Sequence, residues 1–339
     1  MNINFNYCLG FIIAFVLTAA ISPIIIKILK KEKVKQTILS YVDNHNSKQG
    51  TPTMGGIIFI FSISLLAIIM TGGKSTLTNI VIVVFFAYGL VGFLDDFIKA
   101  KFKRNLGLRA YQKIIFQLVI ATAVSVFVYR SNLVGGGLIV PFSNKIVDVG
   151  LWIIPISVVV FLAASNSVNL IDGLDGLAGS TVSVSTIGFV LLLSVLMLGR
   201  LEGTSTLMLG EYKYLILLCI IVVGTLFAFL LFNSFPAKVF MGDTGSLALG
   251  ALVGCLFIFT RTTLYLPLLG VAFVVTSLSV IIQVAYYKLT KKRVFLMAPL
   301  HHHFERKGYH EVKIVVWYSL ISAAVIVLTI GLELAIGGV

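Results

Sequence analysis

"SLALGALVGCLFIFT", residues 246–260, is an apolar run of only 15 residues, and whether it crosses a membrane decides on which side everything after it lies. A helix needs about 20 apolar residues to span the hydrocarbon core. Nine other runs reach or approach that length: 7–29, 54–72, 77–97, 111–129, 149–168, 181–199, 214–233, 264–287 and 314–336. If 246–260 spans too, the connections that follow odd-numbered helices carry 20 of the 26 Lys and Arg residues, against six on the other side. Leaving it out gives 14 against 12 and erases the positive-charge bias that orients membrane proteins. The charge pattern therefore predicts ten spans, with both termini outside and five loops in the cytoplasm.

The rest of the composition agrees. The 339 residues are 58% hydrophobic and 12% charged, with a mean hydropathy of +1.05, which excludes an ordinary soluble domain. The expected fold is an all-α polytopic bundle forming one integral membrane domain over residues 1–339. Residues 1–8 lack the basic start of a signal peptide, so the first run reads as a retained span. Cys8, Cys219 and Cys255 sit in apolar runs without C-x-x-C spacing and read as packing residues. The net charge of +13 falls on the predicted cytoplasmic face, which suits anionic headgroups and anionic substrates; no nucleic-acid partner is expected.

Five of the 13 acids fall at predicted cytoplasmic helix ends: Asp95 and Asp96 in "FLDDFIK" (93–99), Asp172 and Asp175 in "NLIDGLDGLAG" (169–179), and Asp243 in "MGDTGS" (241–246). Carboxylates at membrane depth are costly and usually have a partner or a task. Asp96 has Lys99 and Lys103 at helical spacing as ordinary partners. If their segment is helical, Asp172 and Asp175 share a face with Asn169. The glycines around Asp243 suggest a tight turn, with Asp243 or Thr244 capping a helix that begins near Ser246. Taken together, the five acids point to a divalent cation, because hard metals such as magnesium take oxygen ligands and bridge acids to phosphate.

"APLHHHFERKG" (298–308) places His301, His302 and His303 in a row. Consecutive side chains diverge, and no cysteine is near, so phosphate donors or proton relays suit them better than zinc. "SKQGTPTMGG" (47–56) brings Lys48 and Thr53 to a Gly/Pro/Thr-rich turn that fits an anion-contacting loop or a plain polar turn. Asn233 and Gln283 lie near cytoplasmic helix ends, where hydrogen bonds to neighbouring helices would account for them.

In this order, "TPTMGG", "FLDDFIK", "NLIDGLDGLAG", "FPAKVFMGDTGSLALG" and "MAPLHHHFE" resemble the signatures of the phospho-N-acetylmuramoyl-pentapeptide transferases, within the polyprenyl-phosphate hexosamine-1-phosphate transferase superfamily. The resemblance implies a transferase that moves phospho-N-acetylmuramoyl-pentapeptide from its UDP carrier to undecaprenyl phosphate. The products are lipid I and UMP, and magnesium is the implied cofactor. It also implies a homodimer in the bacterial cytoplasmic membrane, working on the cytoplasmic face.

By the same resemblance Asp243 contacts the metal and Asp95 is a candidate base, with Asp96, His301, His302 and His303 in the catalytic set. Lys48, Thr53, Asn169, Asp172, Asp175, Phe240 and Gln283 match the nucleotide-sugar pocket, where Phe240 offers a ring face to uracil. Two positions depart from the pattern: Leu296 stands where a basic residue is common, and Ile171 where threonine is frequent. Attack on the donor by the lipid phosphate itself is favoured over a covalent aspartyl intermediate. A transferase using UDP-N-acetylglucosamine is the nearest rival. A solute transporter would instead place its ionisable groups near mid-membrane.

Overall fold

The computed structural model describes residues 3–32, 50–102, 107–143, 145–199 and 205–336. Each of the ten predicted segments is a helix: α1 (Ile3–Lys31), α2 (Gly56–Thr71), α3 (Thr76–Phe102), α4 (Ala110–Arg130), α5 (Ile153–Ile171), α6 (Leu177–Leu198), α7 (Thr206–Asn233) and α8 (Gly242–Phe259), then, beyond the short α9 (Leu266–Leu269), α10 (Val271–Thr290) and, beyond the short α11 (Leu300–Arg306), α12 (Glu311–Ile336). Nine helices among the described residues are long and apolar enough to cross a membrane, and α2, with 16 residues, is the shorter tenth. The protein is an integral membrane helix bundle.

The run that decided the topology is longer than its apolar core. α8 has 18 residues because the helix begins at Gly242 rather than near Ser246. Asp96 makes that early start possible. Its carboxylate accepts the Asp243 and Thr244 amides, two of the first-turn donors that a helix leaves without partners. Asp243 is therefore inside the first turn, not a cap before it. The predicted ninth span divides instead: Pro267 lies in α9, and Gly270 separates that turn from α10.

α8 is buried on all sides at the centre, packed between α3 and α5, and the sequence allows this through small residues. Gly92 of α3 lies against the Asp243 carbonyl, and Gly250 of α8 against the Ala164–Ser165 backbone of α5, so a side chain at either position would collide with main chain. The outer helices α1, α4, α10 and α12 instead leave large apolar residues exposed, such as Val119, Ile281 and Val327, as a lipid-facing surface requires. Cys219 and Cys255 are buried as expected, but Cys8 lies on the exposed side of α1 and does not pack. A small antiparallel hairpin (Gly137–Ile139 with Ile146–Asp148) is the only sheet among the described residues.

Candidate active site

The chain runs back and forth, so the C-terminal ends of α3, α5 and α10 meet the N-terminal ends of α4, α6, α8, α11 and α12 at one end of the bundle. That end gathers the acids. Asp95, Asp96 and Asp243 can each offer a carboxylate oxygen such that all three lie within 4.8 Å of one another, although Asp243 is about 150 residues away in the chain.

Each acid is held differently. Asp96 is buried and faces α8: its Oδ2 accepts the Thr244 amide (2.9 Å) and hydroxyl (2.7 Å), and its Oδ1 accepts the Asp243 amide (3.3 Å). Its expected partner Lys99 pairs elsewhere, because on the helix Asp96 turns toward α8 whereas Asp95, one turn before Lys99, turns with it; Lys103 lies outside the described residues. Asp95 is buried too, with Oδ1 accepting the Leu108 amide (2.8 Å) and Oδ2 paired to Lys99 Nζ (2.5 Å) and Lys113 Nζ (3.5 Å). Asp243 Oδ2 accepts from both ammoniums, Lys99 at 2.9 Å and Lys113 at 2.7 Å, and Oδ1 accepts from Asn169 Nδ2 at 2.7 Å. Asn169 also donates to the Ser246 hydroxyl (2.8 Å).

The second acidic stretch is not helical where its acids lie. α5 stops at Ile171, Asp172 caps it, and Asp175 follows in a turn, so the two do not share a helix face. The glycines at 173 and 176 break the helix, and Gly176 adopts a positive φ of 79°. Asp175 is tied down at both ends: its amide donates to Glu311 of α12, and its Oδ2 accepts the Ala237 amide (2.9 Å). Asp172 makes no such bonds. Burial, and then the negative charges of Asp243, Asp96 and Asp175, push its carboxyl well above the usual carboxylate range.

His301 and His302 both face Gly173, whereas His303 turns away toward Phe295 and Leu296. His301 is fully buried against Gly173 and the ring of His302, with neither ring nitrogen hydrogen-bonded, and burial pushes its pKa down to about 3. His302 Nδ1 meets Glu305 Oε2 at 2.9 Å, and His303 Nδ1 accepts the Leu296 amide at 3.1 Å. Burial and Lys307 lower the His303 pKa. His303 stands apart from the other two, so the three rings do not converge on one ion, and His301 and His302 pack on the 172–175 turn as neighbours of the acids.

Thr53 is buried beside Gly242 and Asp96. The backbone around it is pinned to the 240–241 segment: the Phe240 amide donates to Pro52 (2.9 Å), and the Gly55 amide donates to the Phe240 carbonyl (2.8 Å). Phe240 is half-buried there. Lys48 lies outside the described residues. Asn233 donates to the Val239 carbonyl (2.9 Å), bracing the same loop rather than another helix. Gln283 likewise bonds a loop, accepting the Val294 and Phe295 amides at 3.1 and 2.9 Å. It lines an open groove of about 1040 Å³ with Val284, Tyr287, Lys288, Arg293 and Arg306, apart from the acid trio.

Lys113, Leu108 and Glu311 escaped the sequence reading. They act across separations of 13 to 136 residues, for which helical spacing offers no signal.

Comparison with known proteins follows the same outline. The model of Glycosyl transferase family 4 matches residues 77–261, a stretch that runs from α3 past α8 and contains all five acids, so the class is a membrane-embedded glycosyl transferase. Signature 1 of the phospho-N-acetylmuramoyl-pentapeptide-transferases matches residues 48–60. Enzymes of that name from Clostridium novyi, Clostridium perfringens and Desulfitobacterium hafniense are 41%, 42% and 42% identical to this chain, over 92%, 93% and 91% of it and 92%, 93% and 92% of their own lengths. The chain belongs to the phospho-N-acetylmuramoyl-pentapeptide-transferase family.

Proposed function

We propose that this protein transfers phospho-N-acetylmuramoyl-pentapeptide from UDP to undecaprenyl phosphate, releasing UMP and forming lipid I, at the cytoplasmic face of the bacterial inner membrane. The observation that carries the reading is the convergence of Asp95, Asp96 and Asp243 within 4.8 Å, edged by Lys99 and Lys113, in a chain of this family.

The donor set suits magnesium. Three carboxylates offer only hard oxygen ligands, and magnesium commonly takes one or two carboxylates together with phosphate oxygens and water. Asp243, whose Oδ2 is held by lysine side chains rather than backbone, is the residue that would hold it, and Asp95 Oδ2 faces the same site. When bound, the metal neutralises charge on the diphosphate. Asp96 keeps its role on the start of α8, and so sets where Asp243 stands.

In the reaction an oxygen of the lipid phosphate attacks the sugar-linked phosphorus of the donor. The bond from that phosphorus to the bridging oxygen breaks, and UMP leaves with the electron pair. Phosphate monoesters lose their second proton with a pKa of about 6, so a positioned lipid phosphate needs little help from a base. Asp95, which lies beside Lys99, is placed to accept the remaining proton. Lys99 and Lys113 orient the donor's diphosphate. Thr53, Asn169, Asp172, Asp175 and Phe240 line the nucleotide-sugar side, Lys48 binds the donor by the family pattern, and Gln283 contacts it from the basic groove. His301 and His302 support the 172–175 turn, and His303 holds the Leu296 amide. The protein works as a homodimer.

Purified protein with undecaprenyl phosphate tests the donor. UMP release from UDP-N-acetylmuramoyl-pentapeptide and none from UDP-N-acetylglucosamine is expected; the reverse preference would assign the chain to the other branch of the superfamily.

A further inference from the structure

Every carboxylate oxygen of the acid trio already faces a hydrogen-bond donor or an ammonium. Asp96 gives both oxygens to α8, Asp95 Oδ1 accepts the Leu108 amide, and Asp243 Oδ1 accepts the Asn169 amide group. Two oxygens remain, Asp95 Oδ2 and Asp243 Oδ2, and both face the ammoniums of Lys99 and Lys113. The donors differ in how easily they leave. Withdrawing a backbone amide would unwind the start of α8 or move the 107–109 segment. A lysine ammonium sits on a flexible four-carbon stem, and Lys99 is 35% exposed and Lys113 17%.

We propose that Lys99 and Lys113 are an exchangeable counter-ion pair. They occupy the two metal-facing oxygens, leave them when a divalent cation enters, and then carry their charge to the donor's diphosphate. The exchange replaces two single positive charges by one double charge at the same oxygens. The lysines need not travel far, since their stems hold them next to the acids. Metal and diphosphate therefore favour each other's binding, with the lysines as the shared element: each ligand takes one side of an ion pair that would otherwise close on itself. Linkage makes that coupling reciprocal. The inference rests on the metal site of the proposed function, but it concerns affinity rather than turnover.

The test uses Mn²⁺ as the probe, with free ion counted by electron paramagnetic resonance, on the full chain in detergent without nucleotide. A unit charge within about 4 Å at a partly enclosed site opposes a cation enough that removing it tightens binding by about tenfold or more. Lys113→Met and, independently, Lys99→Met should therefore bind Mn²⁺ at least about tenfold more tightly than wild type, whereas Lys113→Arg stays near wild type. Added inorganic pyrophosphate should tighten Mn²⁺ binding in wild type and do so less in either methionine variant. Unchanged or weaker Mn²⁺ binding in both methionine variants, with Asp243→Asn still abolishing it, would overturn the counter-ion pair and leave the proposed reaction standing. Mn²⁺ binding indifferent to Asp243→Asn would overturn both.

Discussion

The two ends of α3 use buried carboxylates in opposite ways. At its start, Glu211 of α7 is spent on structure: it accepts the Ser75 hydroxyl at 2.6 Å and the Thr76 and Leu77 amides at 3.0 and 2.9 Å, taking up orphan donors of the first turn. At its other end, Asp96 does the same service for α8, but Asp95 and Asp243 beside it are held at Oδ2 by lysines. The comparison separates a carboxylate fixed by backbone, which positions a helix, from one held by long side chains, which has an oxygen to give to a ligand. One cluster of three acids thus contains both kinds.

Four substitutions break or sharpen that contrast. Asp243→Asn removes the exchangeable kind, and UMP release should fall by about a thousandfold or more, the several kcal/mol that metal-type charge stabilisation supplies, while the protein still inserts and folds. Asp96→Ala removes the fixed kind. It should cost about 2 kcal/mol of stability through the lost cap and unpaired Thr244, read as a lower melting temperature, with activity falling because Asp243 is misplaced.

His301 gives a smaller effect that depends on pH. Its pKa is about 3 in the fold and ordinarily 6.5, so the unfolded chain binds the extra proton between those values and stability falls as pH drops through that window. Between pH 7 and 5 the loss should be about 2 kcal/mol, and His301→Gln should flatten that slope in melting experiments. Glu211→Gln should have the least effect on the chemistry, leaving kcat within about twofold while lowering the melting temperature, because a buried hydrogen-bonded acid is weakened at the far end. A large kcat loss there would erase the distinction between the two ends of α3.

Much of the bundle was legible because lipid imposes length and apolarity on each helix separately. All ten segments appear, and the acids expected on one face do gather at one end. Local spacing misled where tertiary partners decided the outcome. Asp96 lay at helical distance from Lys99, yet α8 offered it amides. Asp172 and Asp175 had helix spacing, yet glycine ended α5 before them. Asp243 looked like a cap, yet an acid from α3 supplied the capping. The lysine pair on Asp243 had no sequence signal at all, since Lys99 and Lys113 come from two helices joined to Asp243 only through the packing of α3, α4 and α8.

The most direct test is UMP release by the purified protein from UDP-N-acetylmuramoyl-pentapeptide, with undecaprenyl phosphate and magnesium supplied together or singly. Direct attack at a metal-dependent acid centre predicts UMP only when lipid phosphate and magnesium are both present, with release stopped by a chelator. A stoichiometric burst of UMP without lipid phosphate, or release that persists in the chelator, would contradict it.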